Sequence, residues 1–295
     1  MNNKILSFDI GGTSIKYGVV TDKGEILWKD EIATEAKKGG ISVVNKVKNK
    51  IREIIENEDI IGIGISTAGI VDNKNGKILY ASEAIPNYIG IDIKSEIEKE
   101  FGIKTVVEND VNCFGLAEIW LGNVKDKENI FCITIGTGVG GCAIINNKVL
   151  AGRGFSAGEI GYMKVMGEKL NISGSTSGLV NRVSARKGNI VGLNGKDIFI
   201  LAEQGDKICI EEIERLAEAV AQGIINIMYV MNPEVIIIGG GIINQNNYLI
   251  PKIREKVNVM VEPYMSDNIE IKASYFRNDG GIIGATYKYI MERDG

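Results

Sequence analysis

The chain has 295 residues, 44% of them hydrophobic, which suits one large or two medium domains with substantial cores. Its 38 acidic and 34 basic residues leave a net charge of −4 with no basic block, so a nucleic-acid-binding surface is not expected. Histidine is absent, which excludes a histidine base and zinc sites of the Cys₂His₂ or Cys₃His type.

The four cysteines, Cys113, Cys132, Cys142 and Cys209, have no metal-ligand spacing and read as core thiols of a cytosolic protein. No apolar run is long enough to span a bilayer. No charged segment followed by an apolar core opens the chain, so no signal peptide is expected.

The first element is a hairpin, ILSFDIGGTSIKYGVV (5–20). An alternating apolar run reaches Asp9, turns at Gly11-Gly12 and resumes at Tyr17. A glycine turn between strands presents backbone N–H groups that suit phosphate oxygens, because a Cβ would block close approach. Thr13 adds a hydroxyl, and Asp9 adds an acceptor for a hydrated metal ion. A helix over 40–58 follows, with apolar spacing at Val43, Val47, Ile51, Ile54 and Ile55. A buried strand spans 60–66, and 67–90 is mostly loop with turn signals at 72–76 and Pro86-Asn87. Helices are expected over 93–101 and 111–121, with a strand at 104–107 between them.

The hairpin layout returns in ITIGTGVGGCAIINNKV (133–149), at an offset of 125 that places Ile135-Gly136 on Ile10-Gly11. Two glycine hairpins in register imply two similar domains facing each other, each lending a phosphate-gripping turn to one nucleotide. Residues 150–178 are glycine- and serine-rich and read as a functional loop region. A helix starts at Leu179, a long helix spans 211–231, and a buried strand over 235–238 runs into Gly239-Gly240-Gly241. Helices over 251–261 and 280–291 close an α/β chain. The domain boundary is expected just after Asp110, giving domains 1–110 and 111–279, with the last helix, 280–295, folding back on the first.

Asp110 follows a strand and precedes a helix. It reads either as a helix cap or as a general base where open α/β sheets bind ligands. In phosphoryl transfer such a base mainly orients the hydroxyl. Glu159, in AGEIGYM, reads either as a solvated loop acid or as a carboxylate accepting from vicinal hydroxyls, with Gly158 and Gly161 allowing close approach. Asn87 reads as a turn former or a ligand contact. The glycines after 239 read as a strand-to-helix turn or as a backbone platform for base and ribose. GTGVGG at Gly136 precedes strand rather than helix residues, which disfavours dinucleotide binding.

DIGGTSIKYG, ENDVN, ITIGTGVGG, AGEIGYM and IIIGGGI, in this order and spacing, resemble the ROK family (repressor, open reading frame, kinase) over essentially the whole chain. The resemblance implies an actin-like, ribonuclease H-like sugar-kinase fold of two duplicated α/β domains around a cleft. It implies ATP-dependent phosphorylation of a hexose or acylaminohexose at the 6-hydroxyl, with Mg²⁺ expected on the phosphates. A cytoplasmic homodimer without nucleic-acid or membrane partners is expected. The resemblance makes Asp110 the catalytic base, places Asn109, Gly69, Ser82 and Glu159 at the sugar, and places Asp9, Gly12, Thr13, Lys16, Thr137 and Gly138 on the phosphate side. The turn residue Asn87 is a further candidate sugar contact, and the turn glycines Gly11, Gly240 and Gly241 are further candidates on the ATP side.

The chain departs from that pattern where most relatives carry a histidine and then a cysteine-rich zinc motif. Tyr162 stands at the histidine, and KVMGEKLNISGSTSGLV has no cysteine, so structural zinc is not expected. Asn171 falls where relatives have a sugar-binding glutamate. STAGIVD, IPNYIG and the zinc-less Tyr162 variant look most like N-acetylmannosamine kinases, with β-glucoside kinases and glucokinases also similar. A family repressor would need a helix-turn-helix before the hairpin at residue 5 and is not expected. A non-catalytic sugar sensor is the alternative of another class.

Overall fold

The computed structural model describes residues 3–242, 246–266, 269–276 and 278–294. The chain divides into two compact units. The first comprises Met1–Lys125, Ala151–Ala157 and Asn278–Gly295, and the second Asp126–Leu150 and Gly158–Arg277.

The first unit is built on β1 (Lys4–Ile10), β2 (Ser14–Thr21) and β3 (Ile26–Ala33), then α1 (Gly40–Ile55), β4 (Ile60–Thr67), the small hairpin β5 (Ile70–Asp72) and β6 (Lys77–Tyr80), α2 (Ile93–Phe101), β7 (Thr105–Asn109) and α3 (Asp110–Leu121). Its sheet runs β3-β2-β1-β4-β7. The first three strands are antiparallel, and β4 and β7 add in parallel. Alternation along β1 sorts the two faces. Leu6, Phe8 and Ile10 pack with Val43, Val47 and Ile51 of α1. Ile5, Ser7 and Asp9 point the other way, toward the last helix, Gly280–Asp294. That helix lies so close to the sheet that a Cβ on Gly62 would fall 2.0 Å from the Tyr289 ring, and one on Gly64 2.5 Å from Ala285 O. This is why the buried strand reads IIGIGIS rather than as an unbroken aliphatic run.

In the second unit come β8 (Ile130–Ile135), β9 (Val139–Ile145), β10 (Lys148–Val149), the two-residue strands β11 (Lys164–Val165) and β12 (Glu168–Lys169), α4 (Leu170–Ser173), α5 (Thr176–Arg186), α6 (Gly195–Glu203), α7 (Lys207–Met231), β13 (Val235–Gly239), α8 (Asn246–Met260), α9 (Pro263–Ser266) and β14 (Glu270–Ala273). The last helix is therefore α10. The second sheet runs β10-β9-β8-β13-β14, again with three antiparallel strands followed by two parallel ones. The same topology twice in one chain is the duplicated, ribonuclease H-like plan of the actin-like fold. Its core is Ile133, Ile135, Ile236 and Ile238 of the sheet with Leu216, Val220, Ile224 and Met228 of α7.

The sequence reading set the boundary after Asp110, whereas the compact units part after Lys125. The reason is α3. Its residues from Val111 to Ile119 are all buried, and Gly284 of α10 comes so close that a Cβ there would fall 1.7 Å from Cys113 O. A helix buried all round must be packed on several sides, so α3 goes with α10. β3, β14 and α6 are elements that the sequence pattern does not predict, and α5, α7 and α8 begin earlier than it predicts. β3 is an edge strand with mostly exposed residues and no clean alternation. Among the described residues no helix is long and apolar enough to cross a membrane.

Candidate active site

Asn109, Asp110 and Gly69, expected from the sequence at the sugar and the reacting hydroxyl, gather at the junction of β7 and α3. Asn109 is the helix cap: its Oδ1 accepts from Val111 N (2.9 Å) and Asn112 N (3.0 Å). Asp110, read as a possible cap, is instead the first helical residue, because the side chain before it already occupies the cap position. Its Oδ1 accepts from Asn109 Nδ2 and from Val111 N, both at 3.0 Å. Asn109 Nδ2 also donates to Gly69 O at 2.9 Å. Gly69 has φ +109° and could not carry a Cβ, which would meet Tyr80 O at 2.6 Å. Asp110, Asn109 and Gly69 are thus one hydrogen-bonded set. Ser82 and Asn87 stand exposed between β6 and α2, and Asn87 adopts the left-handed backbone of a turn former (φ 54°).

At the same end of the sheet, where Ile10 lies in register with Thr67 and Thr67 with Asn109, Gly11 N donates to Ser14 O (3.0 Å) and closes the turn, and Thr34 Oγ1 donates to Gly11 O (2.7 Å). Gly12 and Thr13 are exposed on this turn. Asp9 pairs across the strands with Lys16 and accepts from Ser66 Oγ at 2.7 Å. Burial raises the Asp9 carboxyl above its ordinary pKa, against the lowering effect of the Ser66 hydroxyl and the Lys16 charge. Lys16 Nζ donates to Asn278 O at 3.3 Å.

In the second unit, a cavity of about 900 Å³ opens beside the turn Gly136-Thr137-Gly138. Two helix N-termini line it. α5 presents Thr176 and Ser177, and α6 presents Asn194, Gly195 and Lys196. Each helix is capped, by Ser175 Oγ on Gly178 N and by Asn194 Oδ1 on Asp197 N. Val180, Leu193, Phe199 and Ile242 make an apolar wall. Thr176 N donates to Gly136 O (2.9 Å), while Thr176 Oγ1 is buried without a hydrogen-bond partner. A Cβ on Gly136 or Gly241 would meet nothing within 4 Å, so these two glycines face open cavity. Gly240 differs: its φ is +91°, and a Cβ would strike Ile135 O at 2.4 Å, so it is a turn residue behind the wall. Paired helix N-termini, a glycine turn and a lysine suit anionic oxygens, and the apolar wall suits a planar base. A nucleotide fits this donor set. Among the described residues no group of three or more His, Cys, Asp or Glu could hold a metal.

The remaining residues lie around β9. Glu159 is half-buried, and burial raises its pKa. Its glycines do not leave room for a ligand, as the sequence suggested; they let the loop lie on β9. A Cβ on Gly158 would meet Gly141 O at 2.3 Å and one on Gly161 would meet Val139 O at 2.3 Å. Tyr162 is exposed, with Lys169 Nζ 5.4 Å from its ring centre. Asn171 Oδ1 accepts from Val139 N at 2.7 Å and so pins the foot of the Gly136–Gly138 turn. Thr137 and Gly138 are exposed on that turn.

Sequence reasoning passed over Thr176, Asn194 and Lys196. The signals were present: Ser175 before T-S-G and Asn194 three residues before Asp197 are cap patterns.

The profile of the ROK family matches residues 5–291. The chain belongs to the ROK family. Within it, the chain is 45% identical over 282 residues to an uncharacterized protein of Clostridium perfringens, covering 95% of this chain and 96% of that one. It is 32% identical over 302 residues to the β-glucoside kinase of Listeria innocua, covering 99% of each. Among solved structures, a candidate N-acetylmannosamine kinase of Listeria monocytogenes superposes with a TM-score of 0.89 at 30% identity, covering 98% of this chain and 99% of that one. The ROK match extends into α10, to residue 291, beyond the boundary of the second unit.

Proposed function

We propose that this ROK-family sugar kinase transfers the γ-phosphoryl group of ATP to the 6-hydroxyl of N-acetylmannosamine. The carrying observation is Asp110, an acid at the start of a helix whose Oδ1 takes two donors at 3.0 Å. A carboxylate held in this way is fixed in direction, which is what orienting a hydroxyl requires. In a loose phosphoryl-transfer transition state the proton leaves late, so a carboxylate serves as base mainly by orienting the hydroxyl. Asn109 and Gly69 fix Asp110 from one side; Ser82, Asn87, Glu159 and Tyr162 are the further sugar contacts of this reading. The second unit would hold ATP, with phosphates on the Gly136–Gly138 turn and the α5 N-terminus and the base against Leu193 and Phe199. In the first unit, Gly11 to Thr13, Lys16 and Asp9 serve the phosphate side. ATP supplies the phosphoryl group with Mg²⁺ bound to its phosphates, since few protein carboxylates are offered. The protein is taken to work in the cytoplasm as a homodimer without structural zinc.

N-acetylmannosamine is favoured by the STAGIVD and IPNYIG motifs and by the likeness to the Listeria monocytogenes structure. The second reading, a β-glucoside kinase, rests on the Listeria innocua relative. A coupled ADP-release assay against N-acetylmannosamine, N-acetylglucosamine, glucose, mannose and cellobiose tests both. The highest kcat/KM is expected with N-acetylmannosamine. A preference for cellobiose moves the assignment to the second reading. Sugar binding without ADP release would make the protein a sensor.

A further inference from the structure

Glu108 precedes the Asn109–Asp110 pair and is 1% exposed. A buried carboxylate is tolerated only when its charge and lone pairs are met. Three hydrogen-bond donors and one ammonium meet it here. Oε1 accepts from Asn109 N and Asn112 Nδ2, both at 2.9 Å, and Oε2 accepts from Asn73 Nδ2 at 2.7 Å and forms an ion pair with Lys288 Nζ at 3.4 Å. Lys288 also pairs with Glu292 at 3.3 Å. Burial alone would lower the Lys288 pKa, but the two carboxylates outweigh it and raise it.

These bonds act on Asp110 in sequence. Glu108 Oε1 ties the Asn109 peptide to the first turn of α3 through Asn112. The Asn109 side chain then has its Oδ1 committed to the helix cap, which turns its Nδ2 toward Asp110 Oδ1. Lys288 lies on the same face of α10 as Gly281, Gly284 and Ala285, at the spacing i, i+3, i+4, i+7 that shares a helix side. Gly281 abuts Asp9, Gly284 abuts Cys113 of α3, and Ala285 abuts Gly64 of β4. One face of α10 therefore braces both Asp9 and Glu108.

We infer that Glu108, clamped by Lys288 of α10, is a positioning residue that holds the Asn109–Asp110 pair in its reactive arrangement. The inference rests on the proposed role of Asp110 as the acid of phosphoryl transfer. It gives α10 a part in the chemistry although no residue of α10 is assigned to contact a substrate.

The test is Glu108→Gln in the full chain, assayed with ATP and the sugar giving the highest rate in the panel above. Glutamine has one acceptor oxygen where glutamate has two, so its NH₂ must meet a donor, either Asn112 or the Asn73–Lys288 side. A small displacement of a reacting group costs about 10²-fold, and kcat is expected to fall by that order. KM for ATP should stay within about twofold, since the loss lies in the reaction step. In Glu108→Gln/Lys288→Met the ammonium is gone, and Asn73 can turn its carbonyl toward the Gln NH₂. That double variant should recover at least about tenfold of the lost kcat. A folded Glu108→Gln with kcat within about twofold of wild type overturns the inference, as does a lowered melting temperature with unchanged kcat per folded molecule. If Glu108→Gln does not fold, Asn73→Ala carries the test by removing one donor from Oε2, and an unchanged kcat there also overturns it. Asp110→Asn is measured alongside. If it stays active, the role of Asp110 fails and this inference with it; if it is inactive while Glu108→Gln is fully active, only the positioning role fails.

Discussion

Gly281 of α10 stands against the carboxyl group of Asp9, so close that a Cβ on it would lie 2.3 Å from Asp9 Cγ and 2.6 Å from both carboxylate oxygens. Gly281→Ala should therefore lower stability, although alanine favours a helix by about 1 kcal/mol over glycine. Overpacking costs about 1–3 kcal/mol and falls on an acid already held by Ser66. The melting temperature should drop, and KM for Mg-ATP should rise as Asp9 is displaced. An unchanged melting temperature would show that α10 yields there.

Asp110→Asn should lower kcat by about 10²–10⁴-fold, the usual cost of losing a general base. Since Asn109 supplies the cap, the substitution leaves the cap intact. It removes only a favourable charge at a helix start, about 0.3–1 kcal/mol, so the melting temperature should move little. A variant keeping more than about a tenth of wild-type kcat would remove Asp110 from the mechanism.

Gly136→Val separates nucleotide binding from folding. Its Cβ meets no protein atom within 4 Å, so stability should hold. The side chain enters the cavity instead and should raise KM for ATP by about 10–100-fold, the equivalent of one charged hydrogen bond. KM for the sugar should change far less, and an effect confined to the sugar would overturn the nucleotide assignment. Gly138→Val is a poorer probe, because its Cβ would crowd Asn171 Oδ1 at 2.9 Å.

Elemental analysis of purified protein should find no stoichiometric zinc, and EDTA should leave the melting temperature unchanged. With histidine absent and no metal-holding cluster among the described residues, nothing there replaces the missing cysteine motif. Tightly bound zinc would refute this reading of the loop. Turnover should still need Mg²⁺.

Asp206 caps α7 through Cys209 N (3.0 Å) and pairs with Lys187. The Lys187 hydrogen bond first, and then the Cys209 N–H, hold its carboxyl at about 2, below the ordinary 3.8. The folded value is the depressed one, so this stabilisation is present above 3.8 and is lost as pH falls toward about 2. Asp206→Asn keeps a capping side chain but not the ion pair. Its melting temperature should lie slightly below wild type near neutral pH, with the gap closing over that acid window. A gap independent of pH would exclude the carboxylate as its source.

The sequence by itself determined the duplicated hairpins, the α/β class and the Asn109–Asp110 junction. Glycine turns between alternating strands, and a polar cluster ending a buried strand, are local patterns carried by neighbouring residues. Only the tertiary structure decided which of Asn109 and Asp110 is the cap, since both are good caps and the choice depends on where the backbone leaves the sheet. It also brought the N-termini of α5 and α6 to the Gly136 turn, from about 40 and 60 residues away, and set Lys288 against Glu108, 180 positions earlier in the chain. No period or motif encodes such pairings, because they arise where elements far apart in the chain pack directly on one another, as α10 does on β7.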